Sequence, residues 1–353
     1  VDTDFLHGLI GVTITAAATF FGINVVKGMI NETQNARHAT KNKTENTIND
    51  LMKDSPVRFD DFIGQSNATE LLRIHVNAAR KLNKTVPHIM FEGPGGTGKT
   101  TLAMCVANEI NTRFFITTPS TFKDKDAVIN FFINKDGTLR IQEGDVIFID
   151  EIHRVREAAA IYIYSAMQDN YLDIGGQVIS LPEFTVIGST TDLGMLPGPF
   201  RSRFKIVINL EKYDIPELVT IVNKFKSIDK NVAEEIAKRA CGIPRIAKSI
   251  SDNVIAVATY LDKETIDFEC VNEACKLLEI DDNGLTKSAR KVIKFFQDND
   301  NQPSGIAALA NTLNLSKDTI ENDIFPTLFA LELLQSKGTR GKCLTKNGMN
   351  YNA

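Results

Sequence analysis

Residues Gly93–Thr100 read GPGGTGKT, and the rest of the chain can be organised around them. The stretch has the form G-x-x-x-x-G-K-[ST]. It follows the short apolar run His88-Ile89-Met90-Phe91 and opens a helical pattern from Thr100 to Glu109, the setting in which such a loop cradles phosphates. Gly93, Gly95, Gly96 and Gly98 let backbone N–H groups converge on phosphate oxygens, and the helix N-terminus adds its dipole. Pro94, Thr97 and Thr101 complete the expected lining. In this reading Lys99 reaches the β- and γ-phosphates of ATP, and the Thr100 hydroxyl holds Mg²⁺. A loop that only makes a tight turn would leave the lysine unexplained.

Further strands are expected on either side of this loop. Phe114-Phe115-Ile116, Asp145–Ile149 (DVIFI), Phe184–Gly188 (FTVIG) and Lys205–Leu210 (KIVINL) are short and largely apolar, with helical patterns between them. Strands that alternate with helices predict an α/β fold around a parallel sheet. DVIFI is apolar after its first residue, as in a strand covered on both faces. It runs directly into Asp150 and Glu151, which places an acidic pair at the carboxyl edge of the sheet beside the glycine loop. Asp150 would orient the Mg²⁺ shell and Glu151 would polarise the attacking water. Ser189-Thr190-Thr191 follows the next strand. A hydroxyl there either contacts the γ-phosphate or the water, or simply caps a turn.

The pattern changes after Leu210. Pro216–Phe225, Val232–Cys241, Pro244–Tyr260 and Phe268–Leu278 read as four helices with no strand between them. Beyond Asp281-Asp282-Asn283-Gly284 come a helix (Lys287–Gln297), a shorter one (Gly305–Leu313), a third starting at Ser316, and a hairpin around Gly338-Thr339-Arg340-Gly341. Three helices and a hairpin are the pattern of a winged helix. The expected domains are therefore an N-terminal segment (1–30), a polar linker (31–55), a large P-loop domain (56–210), a helical lid (211–282) and a winged helix (283–353).

Two arginines could serve the site. Arg203, in Pro199-Phe200-Arg201-Ser202-Arg203-Phe204, could neutralise transition-state charge on a neighbouring subunit's nucleotide; as a sequence signal it also fits an ordinary surface arginine. Arg245, in Gly242-Ile243-Pro244-Arg245-Ile246, opens a lid helix from which it could reach the phosphates across a cleft, or stay exposed in a first turn.

Composition adds bounds. Of 353 residues, 43% are hydrophobic and 24% charged, with a net charge of −4, so a nucleic-acid contact must be local. From Leu285 onward nine lysines and arginines face six acids, the asymmetry a phosphate-binding face produces. Arg340 and Lys342 on the wing are the expected DNA contacts. Asp318, Glu321 and Asp323 on the third helix suit base reading poorly, so sequence-independent backbone binding is expected. A charged surface on a protein-binding winged helix is the alternative. The five cysteines form no CxxC pair and read as reduced, buried thiols. Gly8–Val26 carries no charge and is long enough to cross a bilayer as a helix. Lysines and arginines follow it, so a membrane anchor there would leave the rest of the chain in the cytoplasm; a buried or oligomer-forming helix is the other reading.

Together, GPGGTGKTTLA, DVIFIDEIHRV, TVIGSTT, PFRSRF, GIPRIA and TRGK resemble the RuvB family, AAA+ motors of Holliday-junction branch migration, from about Arg58 to the end. The resemblance implies an AAA+ P-loop domain with ATP and Mg²⁺ bound, and Lys99, Thr100, Asp150 and Glu151 in the Walker positions. It further implies Thr190 as first sensor, Arg203 as trans-acting finger and Arg245 as second sensor. Phe62-Ile63-Gly64-Gln65 matches the segment lining the adenine pocket, so Ile63 and Gly64 are candidate nucleotide contacts. A homo-oligomeric ring, a hexamer in this family, working on duplex or junction DNA is likewise implied. Three features depart from the family. Only Gly175–Ser180 separates Leu172-Asp173-Ile174 from Leu181-Pro182, too short to project the family's long hairpin, which argues against coupling to a RuvA-type adaptor. Asp192 stands where the family has an arginine, and the N-terminal apolar segment has no counterpart. The competing function is a membrane-tethered AAA+ ATPase that remodels or senses a protein or nucleic-acid partner.

Overall fold

The computed structural model describes residues 58–225 and 227–352; the apolar segment 8–26 and the linker that follows lie outside the described residues. In chain order, the first domain holds α1 (Ser66–Leu82), β1 (Ile89–Glu92), α2 (Lys99–Ile110), β2 (Phe114–Thr117), α3 (Lys125–Phe132), β3 (Val146–Ile149), α4 (Glu157–Asp169), β4 (Tyr171–Ile174), β5 (Gln177–Ser180), β6 (Thr185–Thr190), α5 (Gly198–Arg201) and β7 (Ile206–Asn209). Five of these strands form a parallel sheet in the order β2-β3-β6-β1-β7.

The alternation within each strand explains the two covered faces. Ile89 and Phe91, Val146 and Phe148, and Ile187 pack with Leu72, Val76, Leu102 and Val106 from α1 and α2. Their neighbours Met90, Ile147, Ile149 and Val186 point the other way, into Phe131, Phe132, Ile163 and Met167 from α3 and α4. All of these side chains are buried. Successive side chains of a strand face opposite sides, so strands that read as unbroken apolar runs are those sandwiched between helices. The edge strand β7 shows the contrast, with Val207 and Asn209 exposed.

The second domain consists of α6 (Ile215–Phe225), α7 (Lys230–Arg239), α8 (Pro244–Tyr260) and α9 (Phe268–Leu277). Their core includes Leu218, Val222, Ile236, Ala247, Ile250, Val254, Val271 and Cys275. The third holds α10 (Lys287–Asp298), α11 (Ile306–Leu313), α12 (Lys317–Thr319), a π-helical turn (Ile320–Ile324), α13 (Phe325–Ala330), the hairpin β8 (Leu334–Ser336) and β9 (Lys342–Leu344), and α14 (Lys346–Met349). Its core is built on Val292, Ile293, Phe296, Leu309, Ile324, Leu328 and Leu344. The third helix expected from Ser316 is thus broken by a π turn. Pro326 has no N–H and its ring crowds the carbonyl four residues back, so the regular helical hydrogen-bond pattern cannot run through it.

One local reading is corrected, and one segment takes a form the sequence reading left undescribed. Ser189 and Thr190 do not follow a strand; they are its last two residues. Residues 171–180 form a two-stranded antiparallel hairpin, Tyr171 opposite Ser180 and Ile174 opposite Gln177. Its two-residue turn, Gly175-Gly176, has φ of +64° and +90°, the backbone that tight hairpins need at both central positions.

Candidate nucleotide site

The strands of the sheet end together. In register, Glu92 lies beside Thr190, Gly188 beside Ile149, and Ile149 beside Thr117. Gly93 N–H then donates to Thr190 O and Asp150 N–H to Thr117 O, both at 3.1 Å. The glycine loop and the acidic pair therefore leave the same edge on strands that flank β6, at the carboxyl ends where α/β sheets bind ligands.

Geometry in the loop demands glycine at two points. Gly93 has φ +142°, and a Cβ there would lie 2.3 Å from Leu210 O. At Gly96, with φ +82°, a Cβ would lie 2.9 Å from both Arg245 Cβ and Ile243 Cγ2, so the start of α8 rests on the loop. Arg245 is thereby brought over the phosphate loop, its Nε 3.6 Å from that same point. Lys99 is 6% exposed; its Nζ donates to Gly93 O at 2.6 Å and Pro94 O at 2.9 Å. Burial pulls its pKa below the ordinary lysine value, while the carboxylates of Glu151 and Asp150 push it up. Thr97 is buried, with its hydroxyl on Pro94 O at 2.9 Å.

These residues fit a triphosphate with Mg²⁺. No side chain caps the N-terminus of α2, so its first N–H groups have no side-chain acceptor. A Cβ on Gly95 would meet nothing within 4 Å, so the crown of the loop opens outward. An ammonium, a neighbouring hydroxyl at Thr100 and a carboxylate at Asp150 supply the donor set such a group needs.

The acidic pair is held tightly. Ser189 Oγ donates to Asp150 Oδ1 at 2.5 Å. Glu151 N–H is directed at Asp150 Oδ1 and Ser189 Oγ, each at 3.2 Å. Glu151 itself has φ +49°, left-handed backbone that costs a non-glycine residue and concentrates at functional sites. His153, whose side chain is 7% exposed, lies with Nδ1 at 3.5 Å from Glu151 Oε2 and 2.9 Å from Thr190 Oγ1. Burial lowers the His153 pKa, against the opposing pull of the Glu151 charge. Asp192, the departure from the family pattern, accepts from Gly194 N at 2.7 Å and starts the turn after β6.

Ile63 and Gly64 sit half-buried in the turn before α1. A Cβ on Gly98 would lie 3.1 Å from the Phe62 ring, and one on Gly64 2.7 Å from Tyr213 Cε1. The turn is fastened to the start of the lid in both directions: Gln65 Nε2 donates to Glu211 O at 2.7 Å, and Glu211 N donates to Gln65 Oε1 at 3.2 Å. Tyr213 is buried and its hydroxyl donates to Thr97 O at 3.1 Å. Sequence reasoning places Gln65 in the segment lining the adenine pocket but assigns no role to His153 or Tyr213. His153 carries a signal, being part of the run DEIHR; Tyr213 carries none, and the partner of Gln65 is not readable, because Thr97 and Glu211 lie more than 100 positions away from them.

The candidates thus divide. The loop 93–101, Asp150, Glu151, Thr190, Ile63, Gly64 and Arg245 gather at one edge of the sheet. Arg203 is bonded elsewhere: Nη1 donates to Pro199 O at 2.6 Å, and Nη2 to Gln168 Oε1. Its Nε is buried without a hydrogen-bond partner. On the wing, Arg340 is exposed. Lys342 Nζ lies 3.3 Å from Ser336 Oγ and 5.8 Å from the centre of the Phe329 ring. The third helix of the winged helix meets the first domain, where Arg154 Nη2 donates to Asp318 Oδ2 at 3.2 Å. Cys105, Cys270, Cys275 and Cys343 are buried, and none of the five cysteines forms a disulfide; burial raises the Cys105 pKa to about 12. Among the described residues no helix is long and apolar enough to cross a membrane.

A phosphate loop and acidic pair on one edge of a parallel sheet, a helical lid resting on the loop, and a winged helix define an AAA+ P-loop ATPase. Comparison with known proteins narrows the class. A family profile described as the Holliday junction DNA helicase RuvB P-loop domain matches residues 55–210. The RuvB AAA lid domain matches 213–281 and the RuvB C-terminal winged helix domain 282–352. The chain is 35% identical over 303 residues to the Holliday junction branch migration complex subunit RuvB of a Nitratiruptor species, covering 82% of this chain and 88% of that one. It is 36% identical over 288 residues to that of Campylobacter lari, covering 78% and 84%. The structure of the Thermotoga maritima RuvB Holliday junction branch migration motor superposes with a TM-score of 0.77 at 33% identity, over 84% of this chain and 97% of that one. The chain belongs to the RuvB family.

Proposed function

We propose that this protein is an ATP-driven motor that works as a homo-oligomeric ring, a hexamer, on duplex and four-way-junction DNA, and moves the branch point of Holliday junctions. The observation that carries this reading is the convergence of the phosphate loop, Asp150-Glu151 and Arg245 at one sheet edge, in a chain that ends in a winged helix with a basic wing.

In this reading the amides of residues 93–98 and the N-terminus of α2 bind the phosphates of ATP, and Lys99 leaves its loop carbonyls to reach the β- and γ-phosphates. Ile63, Gly64 and Tyr213 border the base. Thr100 and Asp150 hold Mg²⁺, which when bound neutralises charge on the phosphates. Ser189 keeps Asp150 oriented for that task. Glu151 takes the proton of the attacking water, and Thr190 reads the γ-phosphate. Arg245 supplies positive charge from the lid of the same chain. Arg203 supplies it to the next protomer's site, after breaking its bonds to Gln168 and Pro199. Each contributes by placing charge where it develops in phosphoryl transfer. The wing, through Arg340 and Lys342, contacts the DNA backbone. The four-residue strands of the 171–180 hairpin leave little to engage an adaptor of the RuvA type.

The test is ATP hydrolysis by the full chain with and without four-way-junction DNA, together with conversion of a labelled junction into duplex products. Stimulation that falls as salt is raised, with ATP-dependent junction resolution into duplexes, is the expected result. Hydrolysis indifferent to DNA, with no product duplex, would contradict the reading.

A further inference from the structure

The mechanism above leaves the histidine beside the acidic pair unused. His153 lies in the short turn after the acidic pair and reaches two functional groups through a single atom: Nδ1 is 2.9 Å from Thr190 Oγ1 and 3.5 Å from Glu151 Oε2. The hydrogen-bond network assigns its proton. Thr190 Oγ1 donates to Asp192 O at 3.0 Å and accepts from Asp192 N at 3.1 Å. A hydroxyl has one proton to give; once that proton is on Asp192 O, the third partner must be a donor. Nδ1 therefore carries hydrogen. The carboxylate beside it requires the same, since a bare nitrogen lone pair facing Oε2 would be repelled. The N–H thus bonds the sensor hydroxyl at the end of β6, with the Glu151 carboxylate oxygen 3.5 Å from the same nitrogen.

We propose that His153 is a positioning residue for ATP hydrolysis: its Nδ1–H ties the Glu151 carboxylate to Thr190, so that the base and the γ-phosphate sensor are set as one unit. Glu151 needs such a tether. Its backbone is held on the amide side by Asp150 and Ser189, but those bonds leave the carboxylate free to rotate. His153 is the group that limits it. When the Thr190 hydroxyl turns toward a γ-phosphate, the Nδ1–H passes wholly to Glu151 and fixes the base at the moment water must be activated. The tautomer follows from the contacts.

This inference rests on the assignment of Glu151 as base, and the experiment separates the two. His153→Asn places an amide N–H where Nδ1–H stands, whereas His153→Phe fills the space without a donor, and His153→Gln carries its donor one bond too far. Turnover by the assembled protein with DNA is measured for each, alongside affinity for a fluorescent ADP analogue and the thermal midpoint. For His153→Phe the expected kcat is about 10-fold lower, part of what a general base contributes, with ADP-analogue affinity within about twofold of wild type, the signature of an interaction made only beyond the ground state. His153→Asn restores most of the rate and His153→Gln does not. In a Glu151→Gln background, His153→Phe causes no further loss. If Glu151→Gln turns over slowly but Asn at 153 is no better than Phe, or Phe lowers the residual rate of the Glu151→Gln protein further, the positioning role falls and the base assignment stands. Wild-type turnover by Glu151→Gln overturns both.

Discussion

The nucleotide edge of the sheet and the winged helix are built on opposite plans. At the first, nearly every functional side chain is buried or bonded at several points: Lys99 to two loop carbonyls, Asp150 to Ser189 and the Glu151 amide, Tyr213 to the loop. At the second, the core is closed, while the charges that matter stand outside it; Arg340 is exposed and the acids of the third helix are likewise exposed at 318, 321 and 323. Chemistry needs fixed geometry in a site shielded from water. Non-specific phosphate binding needs only charge at the surface and tolerates mobility. One consequence is that single substitutions at the sheet edge should act on rate steeply, and those on the wing gradually and in a salt-dependent way.

Among substitutions that spare ATP binding, the largest effect is expected at Arg203. In the assembled ring Arg203→Ala should lower kcat by about 10³-fold, the range for a trans-acting arginine. Mixing Arg203→Ala with Lys99→Ala subunits should recover part of the activity, because an intact pair of halves then forms; absence of any recovery would place Arg203 outside the neighbour's site. Glu151→Gln should come next, with turnover down by about 10²-fold or more while Mg-ATP still binds, as read by nucleotide titration. On the wing, replacing Arg340 and Lys342 together with alanine should lower the slope of log affinity against log salt by about 2 and leave DNA-free hydrolysis unchanged. An unaltered slope would remove the wing from the DNA surface. The smallest effect is expected where the two regions touch. Arg154 and Asp318 are 48% and 69% exposed, and such a pair contributes at most about 1 kcal/mol. Arg154→Ala should shift the urea midpoint only slightly, and a large shift would mean that Arg154 contributes more than an exposed ion pair can.

How legible each region is in the sequence follows from the same contrast. The phosphate loop, the acidic pair and the run of parallel strands are readable because each is a local pattern whose spacing is imposed by backbone geometry: Gly93 and Gly96 for close approach, Val146–Ile149 for burial on both faces. Arg245 is readable only as a choice between the phosphates and the surface, and its place over Gly96 comes from the packing of α8 against the loop. The bonds of Gln65 to Glu211, of Tyr213 to Thr97 and of His153 to Thr190 are not legible. They join partners remote in sequence, or depend on a proton whose location is set by three bonds at once. The hairpin 171–180 escapes a reading as paired strands although Gly175-Gly176 between alternating residues is a turn signal. The π turn at Ile320–Ile324 escapes because a proline beyond a helical pattern signals a break but not the form the break takes. The wing's charge is legible as composition; that its neighbouring third helix bonds to Arg154 is not.

Everything proposed for the motor depends on a triphosphate held by residues 93–100. Titrating Mg-ATP into the wild type, Lys99→Ala and Glu151→Gln, with hydrolysis followed in parallel, tests it directly. Binding by the wild type and by Glu151→Gln, with none by Lys99→Ala, is the predicted result. Tight binding by Lys99→Ala would contradict it.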